Sequence, residues 1–173
     1  MVGILPVQTA VNAPLFALAG LLADSGFNNY ITSAANASGQ TVDFGLGLVR
    51  GTGDREALLP TAANQEFIGI SIRNEMRENS FTNYASAGTA YQIGEMINVL
   101  TKQGCIWVYT EVNVAAGNPL YCRFAANGGL ITLGAFRNNA DVTSSVAHAF
   151  LVPNGQFVSS ASAGSLVKIL FPK

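Results

Sequence analysis

A series of short β-prone runs, which begins at residue 41 and continues towards the C-terminus, is the feature that most limits what this chain can fold into. Each run is rich in Val, Ile, Leu, Phe or Tyr, and clusters of Gly, Asn, Pro or Ser separate the runs. This spacing is typical of a small sandwich or barrel, because one run can cross a sheet once and the next cluster can turn the chain. The sequence therefore predicts an all-β, mainly β fold: a small β-barrel or sandwich-like domain over residues 41–173.

The predicted strands are residues 42–49, 67–72, 95–100, 105–110, 120–124, 130–133, 149–152 and 166–171. The clearest local signal is the pair 95–100 and 105–110, which flanks residues 101–104. Gly104 suits a left-handed turn or bulge position, so the pair is predicted to form a hairpin. Residues 153–155, Pro-Asn-Gly, are predicted to turn the chain between the last two strands.

Residues 1–40 differ from the rest of the chain, because Asp24 is their only charged residue and they show no sustained periodicity. The stretch 14–23 favours a short helix that Asn12 could cap, whereas 28–40 is typical of a loop. We expect an extended N-terminal arm over residues 1–40, with one short helix at most. Its apolar part should be ordered by packing against something else, which could be another chain.

Charged residues are scarce: they make up 11% of the chain, against roughly 25% in an average soluble protein, while hydrophobic residues make up 49%. Such a chain is expected to hide apolar surface against partners as well as in its core. The net charge is −1 and no run of Lys or Arg occurs, so no nucleic-acid partner is expected. Residues 1–10 hold no Lys or Arg, and Pro14 interrupts the apolar stretch 11–23. Neither a signal peptide nor a membrane span is expected, and the protein should be made soluble in the cytoplasm.

The residue types needed for catalysis or metal binding are few. His148 is the only histidine, and the two cysteines, Cys105 and Cys122, lie in separate predicted strands. A zinc site needs three or four such ligands in close clusters, and no G-x-S-x-G motif is present to carry a catalytic serine. The acidic residues show no pairing typical of a hydrolase, and most neighbour an arginine. We therefore predict no catalytic residue, no cofactor and no metal, and two buried thiols in a reducing compartment.

One predicted strand alternates two kinds of side chain: Ile106 and Val108 are aliphatic, whereas Trp107 and Tyr109 are aromatic. Exposed Trp and Tyr rings can form a platform for sugars or for single-stranded nucleic acid. An exposed pair would also be a sticky patch on a monomer, so we expect both faces to be covered, as in a small barrel or at an interface. The pattern alone leaves open which face turns outward.

Several short motifs occur in an order that resembles one protein family. The motifs are Gly94-Glu95-Met96-Ile97-Asn98-Val99-Leu100, Gly104-Cys105-Ile106-Trp107-Val108, Val112 to Val114, Ala116-Gly117 and Leu120-Tyr121. Further matching segments are Val49-Arg50-Gly51, Phe67-Ile68-Gly69-Ile70 with Arg73, Gln8-Thr9-Ala10-Val11-Asn12-Ala13-Pro14 and Ala23-Asp24-Ser25. Together they resemble the structural cement proteins of tailed bacteriophage heads over much of residues 8–130. Residues 15–22 depart from that pattern, which has a glycine-rich and acidic stretch there.

The resemblance implies a β-barrel or β-tulip module that binds the outer surface of a phage head and bridges neighbouring major capsid protein subunits. It also implies self-association as a dimer or trimer on the shell, and a location in the virion after assembly in the host cytoplasm. Such a role needs no active site. Another virion module, such as a tail, baseplate or head-fibre anchor, is the alternative that the same analogy leaves open.

Partner contacts are expected where apolar or basic side chains lie in segments that need ordering. In the arm these residues are Val7, Val11, Leu15, Phe16 and Leu18. In the polar insertion that begins after residue 72 they are Arg73, Arg77 and Tyr84. Long loops on a β scaffold commonly carry binding residues, because the scaffold positions them while leaving their sequence free to vary.

Overall fold

The computed structural model describes residues 17–23, 30–73 and 90–171. Within these ranges the chain forms β-strands joined by turns and contains no helix, and hence none that could span a membrane. The strands are β1 (Tyr30–Asn36), β2 (Val42–Asp43), β3 (Gly47–Arg50), β4 (Glu56–Leu58), β5 (Phe67–Ser71), β6 (Ala90–Tyr91), β7 (Met96–Lys102), β8 (Gly104–Tyr109), β9 (Pro119–Arg123), β10 (Phe136–Arg137), β11 (Ala149–Phe157) and β12 (Leu166–Phe171). The predicted all-β fold is confirmed.

The first sheet is a closed barrel with the strand order β1, β4, β3, β5, β7. Neighbouring strands run antiparallel, except that β1 and β4 run parallel with Ala35 opposite Glu56. Side chains alternate along β7, so that Ile97 and Val99 are buried while Met96 is exposed. These buried residues form one hydrophobic cluster with side chains of the other barrel strands and of the short ribbon formed by β2 and β6.

The second sheet is antiparallel and has the strand order β10, β9, β11, β12, β8. Its buried side chains, such as Ile106, Val108 and Leu120, form a second hydrophobic cluster that also includes Ile70 and Leu100 of the barrel. The barrel strands β5 and β7 therefore supply side chains to the core between the sheets. This shared core fixes the second sheet against one side of the barrel.

The hairpin predicted for residues 95–110 is wrong. β7 pairs with β1 and β5 in the barrel, whereas β8 pairs with β12 in the second sheet. Between them the residue with a positive φ is Gln103 (47°), and not Gly104. The short link carries the chain from one sheet to the other, because each strand pairs with strands that are distant in sequence and that local spacing does not reveal.

The loop predicted over residues 28–40 is wrong for Tyr30–Asn36, which forms β1 and pairs with β7 along its length. Its buried positions carry Ala34 and Asn36, so the strand lacks the large apolar residues that mark a buried strand in a sequence. The division into an arm and a β domain at residue 40 stays a prediction, although strand pairing begins at Tyr30.

Three further local predictions are wrong. Residues 17–23, the described part of the predicted helix 14–23, form a turn and an isolated β-bridge, because most of their backbone hydrogen bonds go to β8 and only the N–H of Leu21 bonds within the segment, to the carbonyl of Leu18. Residues 130–133 form no strand, since they follow a tight turn and pair with no neighbouring strand. β11 continues through the predicted turn at residues 153–155, where its register shifts and Asn154 takes a positive φ (58°).

Candidate functional site: an apolar groove where the two sheets meet

Residues 17–23, here called the latch segment, run along the outer edge of β8, the last strand of the second sheet. The backbone N–H of Gly20 donates a hydrogen bond to the carbonyl of Trp107 (2.8 Å), and the N–H of Trp107 donates to the carbonyl of Leu21 (2.9 Å). On the barrel side, the N–H of Arg73 donates to the carbonyl of Gly20 (2.7 Å). The latch segment therefore joins the two sheets and covers strand-edge groups that could otherwise pair with another chain.

Gly20 and Gly45 allow the backbones to approach closely at this junction. Both have a positive φ (79° and 80°), which is unfavourable for residues with a side chain. A Cβ atom on Gly20 would lie 2.8 Å from the backbone nitrogen of Arg73, and one on Gly45 would lie 2.9 Å from the nitrogen of Gly20. Glycine at both positions thus lets the latch segment lie against the link between β2 and β3.

A groove of about 580 Å³ opens beside the latch segment. Three of the large hydrophobic side chains that line it are exposed: Leu18 (44%), Tyr109 (56%) and Ile131 (72%). Phe44 and Leu46, from the link between β2 and β3, add further apolar lining. A groove that gathers exposed apolar side chains is a candidate contact site for another protein, because water leaves such a surface readily when it is covered.

The barrel side of the groove carries two charged residues, Asp43 and Arg73. The guanidinium carbon of Arg73 lies 5.2 Å from the centroid of the Phe44 ring, where the electrons of the ring attract a cation. Partial burial raises the pKa of the Asp43 carboxyl above its ordinary value, because the charged form is poorly solvated there. The groove could therefore accept a hydrogen-bond donor or a cation from a partner beside its apolar surface.

Glu111 lines the groove and belongs to a group of four buried or half-buried charged side chains, here called the ionic cluster: Glu111, Arg123, Arg137 and Asp141. Arg123 donates hydrogen bonds from Nε to Oε1 of Glu111 (2.6 Å) and from Nη2 to Oδ2 of Asp141 (2.6 Å). Nη1 of Arg137 lies 2.6 Å from the same oxygen of Asp141. The two cations balance the two anions, as buried charges require. The ionic cluster thereby holds the side chain of Glu111 in place in the lining of the groove.

The ionic cluster also shifts the pKa values of its member Asp141 and of the neighbouring Cys122. Burial by itself raises the pKa of Asp141, but the hydrogen bond from Arg123 and the charge of Arg137 outweigh burial and hold this pKa below its ordinary value. Burial, and then the charge of Glu111, raise the pKa of the Cys122 thiol far above its ordinary value. Such a thiol stays protonated at neutral pH and is a poor nucleophile.

The structure brings together two of the residues that the sequence singles out for partner contacts, since Leu18 and Arg73 both line the groove. The remaining ones lie outside the described ranges: Val7, Val11, Leu15, Phe16, Arg77 and Tyr84. Contact with a partner stays a prediction for the whole set.

The two faces of β8 differ as their alternating residues suggest. Ile106 and Val108 are fully buried in the core, whereas Trp107 is half-buried, with the amine of Lys168 5.2 Å from its ring centroid. Tyr109 is exposed in the groove, so the chain itself does not cover the aromatic face at this residue, and its cover at an interface stays a prediction. The aromatic face is the outward one.

The residue types that could support catalysis or metal binding are dispersed. Cys105 and Cys122 are buried free thiols, as predicted. His148 is half-buried, and its Nδ1 lies 2.8 Å from the backbone oxygen of Asp141. Among the residues of the three described ranges, no group of three or more His, Cys, Asp or Glu side chains could hold a metal ion.

Sequence reasoning does not single out Ile131 or Arg123, although each carries a signal. Ile131 follows Gly128 and Gly129 in a stretch without charged residues, which is unusual for a surface loop. Arg123 lies within the apolar predicted strand 120–124, where a charge must find a partner if the strand is buried. Only the tertiary structure shows which acids provide it.

Comparison with known proteins gives a family and a structural relative. A family model described as "Structural cement protein (E217 gp24/Pam3 gp6)" matches residues 7–171. Among solved structures, the chain is similar to one from "The capsid of Myoviridae Phage XM1", with a TM-score of 0.61, 16% sequence identity, and coverage of 98% of this chain and 99% of that chain. At this level of identity the likeness concerns the fold. The curated proteins give no match.

Proposed function

The chain belongs to the structural cement protein family of phages, and from this premise we propose that it binds the outer surface of a tailed-phage head and stabilises contacts between major capsid protein subunits. The family match over residues 7–171 is the observation that carries this proposal. Membership of the family gives the chain a structural role in the virion capsid. The contact with individual major capsid protein subunits goes beyond family membership and is the part that we propose.

The latch segment and the groove support a contact with the shell. Hydrogen bonds hold the latch segment against β8, and Phe16 precedes this segment directly in the sequence. The chain therefore continues from residue 16 into a segment that lies beside a groove whose exposed side chains are apolar. We infer that the arm and the groove contact adjacent capsid subunits, because a contact that spans two subunits resists their separation.

We also infer a non-catalytic role, with no nucleic-acid partner and with self-association as a dimer or trimer on the shell. The protonated Cys122 and the backbone contact of His148 are unlike a paired nucleophile and base. A net charge of −1 provides little attraction for phosphate groups. The exposed side chains of Met96 and Leu151, which lie outside the groove, offer apolar surface for self-association.

The mechanism is mass action. A protein that binds the assembled shell, and not its separated subunits, stabilises the shell by its binding free energy. For one site at a free concentration of a hundred times Kd, this contribution is about 2.7 kcal/mol. Because a shell offers many equivalent sites, the contributions accumulate over its surface.

Co-sedimentation with expanded, undecorated shells of the same phage tests the proposal. We expect the full-length protein to pellet with the shells at a fixed ratio to the major capsid protein. A variant that lacks residues 1–16 keeps the latch segment, so it should remain folded yet bind at least about tenfold more weakly, the equivalent of about 1.4 kcal/mol. Removal of residues 1–25 would also uncover the edge of β8. A loss of binding could then result either from the missing arm or from the exposed strand edge.

The melting temperature and the far-ultraviolet circular dichroism of each free variant serve as controls for folding. Full decoration by the truncated protein would contradict the role of the arm. Failure of the full-length protein to pellet with its own shells would contradict the cement function and favour a tail, baseplate or head-fibre module.

A further inference from the structure

Two tight turns lie side by side in the second half of the chain: residues 127–130 and 143–146, here called the paired turns. In each turn the first and last residues exchange two backbone hydrogen bonds of 2.9 to 3.0 Å. The side-chain nitrogen Nδ2 of Asn127 donates a hydrogen bond to Oγ1 of Thr143 (2.8 Å), which joins one turn to the other. The two turns therefore form a single structural unit.

The backbone of the paired turns is left-handed at all four central positions. Gly128 and Gly129 have φ values of 56° and 88°, as a two-residue hairpin turn of this hand requires. Ser144 and Ser145 have φ values of 50° and 67°, although a side chain disfavours this region. Strained residues of this kind persist only where the surrounding structure holds them, and they are frequent at binding sites.

Arg123 of the ionic cluster anchors both turns. Its Nη1 donates a hydrogen bond to the carbonyl of Ala125 (2.7 Å), two residues before the first turn. Its Nη2 donates to the carboxylate of Asp141 (2.6 Å), two residues before the second turn. One buried guanidinium group thus holds the chain at the entrance of each turn, so the turns are rigid before any partner binds.

The surface of the paired turns is uncharged and carries exposed aliphatic side chains beside the exposed Thr143, Ser144 and Ser145. Three large aliphatic side chains in or next to the turns are exposed: Ile131 (72%), Val142 (62%) and Val146 (58%). Residues 124–136 and 142–167 contain no Asp, Glu, Lys or Arg. Ile131 also lines the groove, so the two apolar surfaces are continuous.

We propose that the paired turns are a second docking surface, which binds an uncharged apolar patch of a major capsid protein subunit. This inference rests on the proposed cement function and adds the residues that make the contact. The lack of charge favours a partner surface without charge, because burying an unpaired charge against the turns would be unfavourable. Rigid turns lose little conformational freedom on binding, which favours tight docking on a shell that is itself rigid.

Continuity with the groove favours the capsid subunit over a second copy of this chain as the occupant. A subunit that contacts Leu18 and Tyr109 in the groove is within reach of Ile131, which belongs to both surfaces. The groove and the paired turns would then form one continuous contact area.

A double variant with Ile131→Ser and Val146→Ser tests this inference by co-sedimentation with undecorated shells. The matched control is Ile93→Ser, since Ile93 is also exposed (62%) and lies away from the paired turns, between β6 and β7. We expect the double variant to bind at least about tenfold more weakly than the wild type, and the control to bind within about twofold. Both variants should keep the melting temperature of the free wild-type protein, because the replaced side chains are exposed.

The outcomes separate the two proposals. If the wild type pellets with shells and the double variant does so equally well, the docking surface is wrong and the cement function stands. If the wild type does not pellet, the cement function itself fails. If the double variant binds shells normally but loses self-association in analytical ultracentrifugation, the paired turns contact a second copy of this chain, which also overturns the inference.

Discussion

Asn36 in the barrel and Arg123 in the second sheet perform the same structural task with different chemistry. Nδ2 of Asn36 donates hydrogen bonds to the carbonyls of Gln40 (2.9 Å) and Gln92 (3.0 Å), and so fixes two turns through neutral groups. Arg123 fixes its neighbouring segments through two carboxylates and one carbonyl. Both side chains are almost completely inaccessible to solvent.

The difference lies in how each region responds to change. A neutral amide that bonds to carbonyls is insensitive to pH and salt. A buried guanidinium depends on its carboxylates, and removing one partner leaves charges that neither water nor protein compensates. We therefore expect the end of the barrel near Asn36 to behave independently of solution conditions, and the region around the paired turns to depend on the ionic cluster.

The largest effect is expected for Arg123→Met. The substitution leaves Glu111 and Asp141 with Arg137 as their shared cation and should lower the free energy of unfolding by about 3–5 kcal/mol. Urea denaturation measures this loss. The matched control is Arg50→Met, because Arg50 forms an exposed ion pair with Glu66 (2.7 Å) and should cost less than about 1 kcal/mol. Equal losses for the two variants would contradict the role of the ionic cluster.

A smaller effect is expected for Asn36→Ala. This variant removes the hydrogen bonds that the buried Asn36 side chain donates to the carbonyls of Gln40 and Gln92, which keep Ser38 Oγ and the N–H of Glu95 as donors. It should lower the free energy of unfolding by about 2 kcal/mol, roughly 1 kcal/mol for each bond lost. The same urea denaturation measures it. A loss as large as that of Arg123→Met would mean that the neutral and the charged networks stabilise the fold equally.

The smallest effect concerns pH. The pKa of Asp141 is lowered in the folded state, so its ionised form contributes stability above the unfolded pKa of about 3.9, and this contribution is lost as the pH falls through the folded pKa. The difference in unfolding free energy between the wild type and Asp141→Asn should therefore be present at neutral pH and shrink below about pH 4. The corresponding difference for Asn36→Ala should stay constant. A pH-independent difference for Asp141→Asn would contradict the pairing with arginine.

The sequence predicts the fold class because large apolar residues alternate along the strands that it reveals, such as β7 and β8. It does not predict β1, whose buried positions hold Ala34 and Asn36. Nor does it predict that β7 and β8 belong to different sheets. The short link between them has the same residue types whether the two strands pair with each other or with strands that are distant in sequence. Periodicity reports burial, and not the partner against which a strand is buried.

The candidate site is predictable only in part. Leu18 and Arg73 stand out as apolar or basic residues in segments that need ordering, and the structure places both in the groove. Ile131 comes to the groove through a tight turn that Gly128 and Gly129 indicate. The ionic cluster joins residues 111, 123, 137 and 141, and the sequence does not show which of these charges pair, so only the fold reveals the cluster.

The thermal stability of undecorated shells tests the cement function most directly. Shells titrated with the full-length protein should melt at a temperature that rises with occupancy and levels off when every site is filled, because only the assembled shell binds the ligand. A shell melting temperature that does not change while the protein pellets with the shells would show binding without reinforcement, and would contradict the function proposed here.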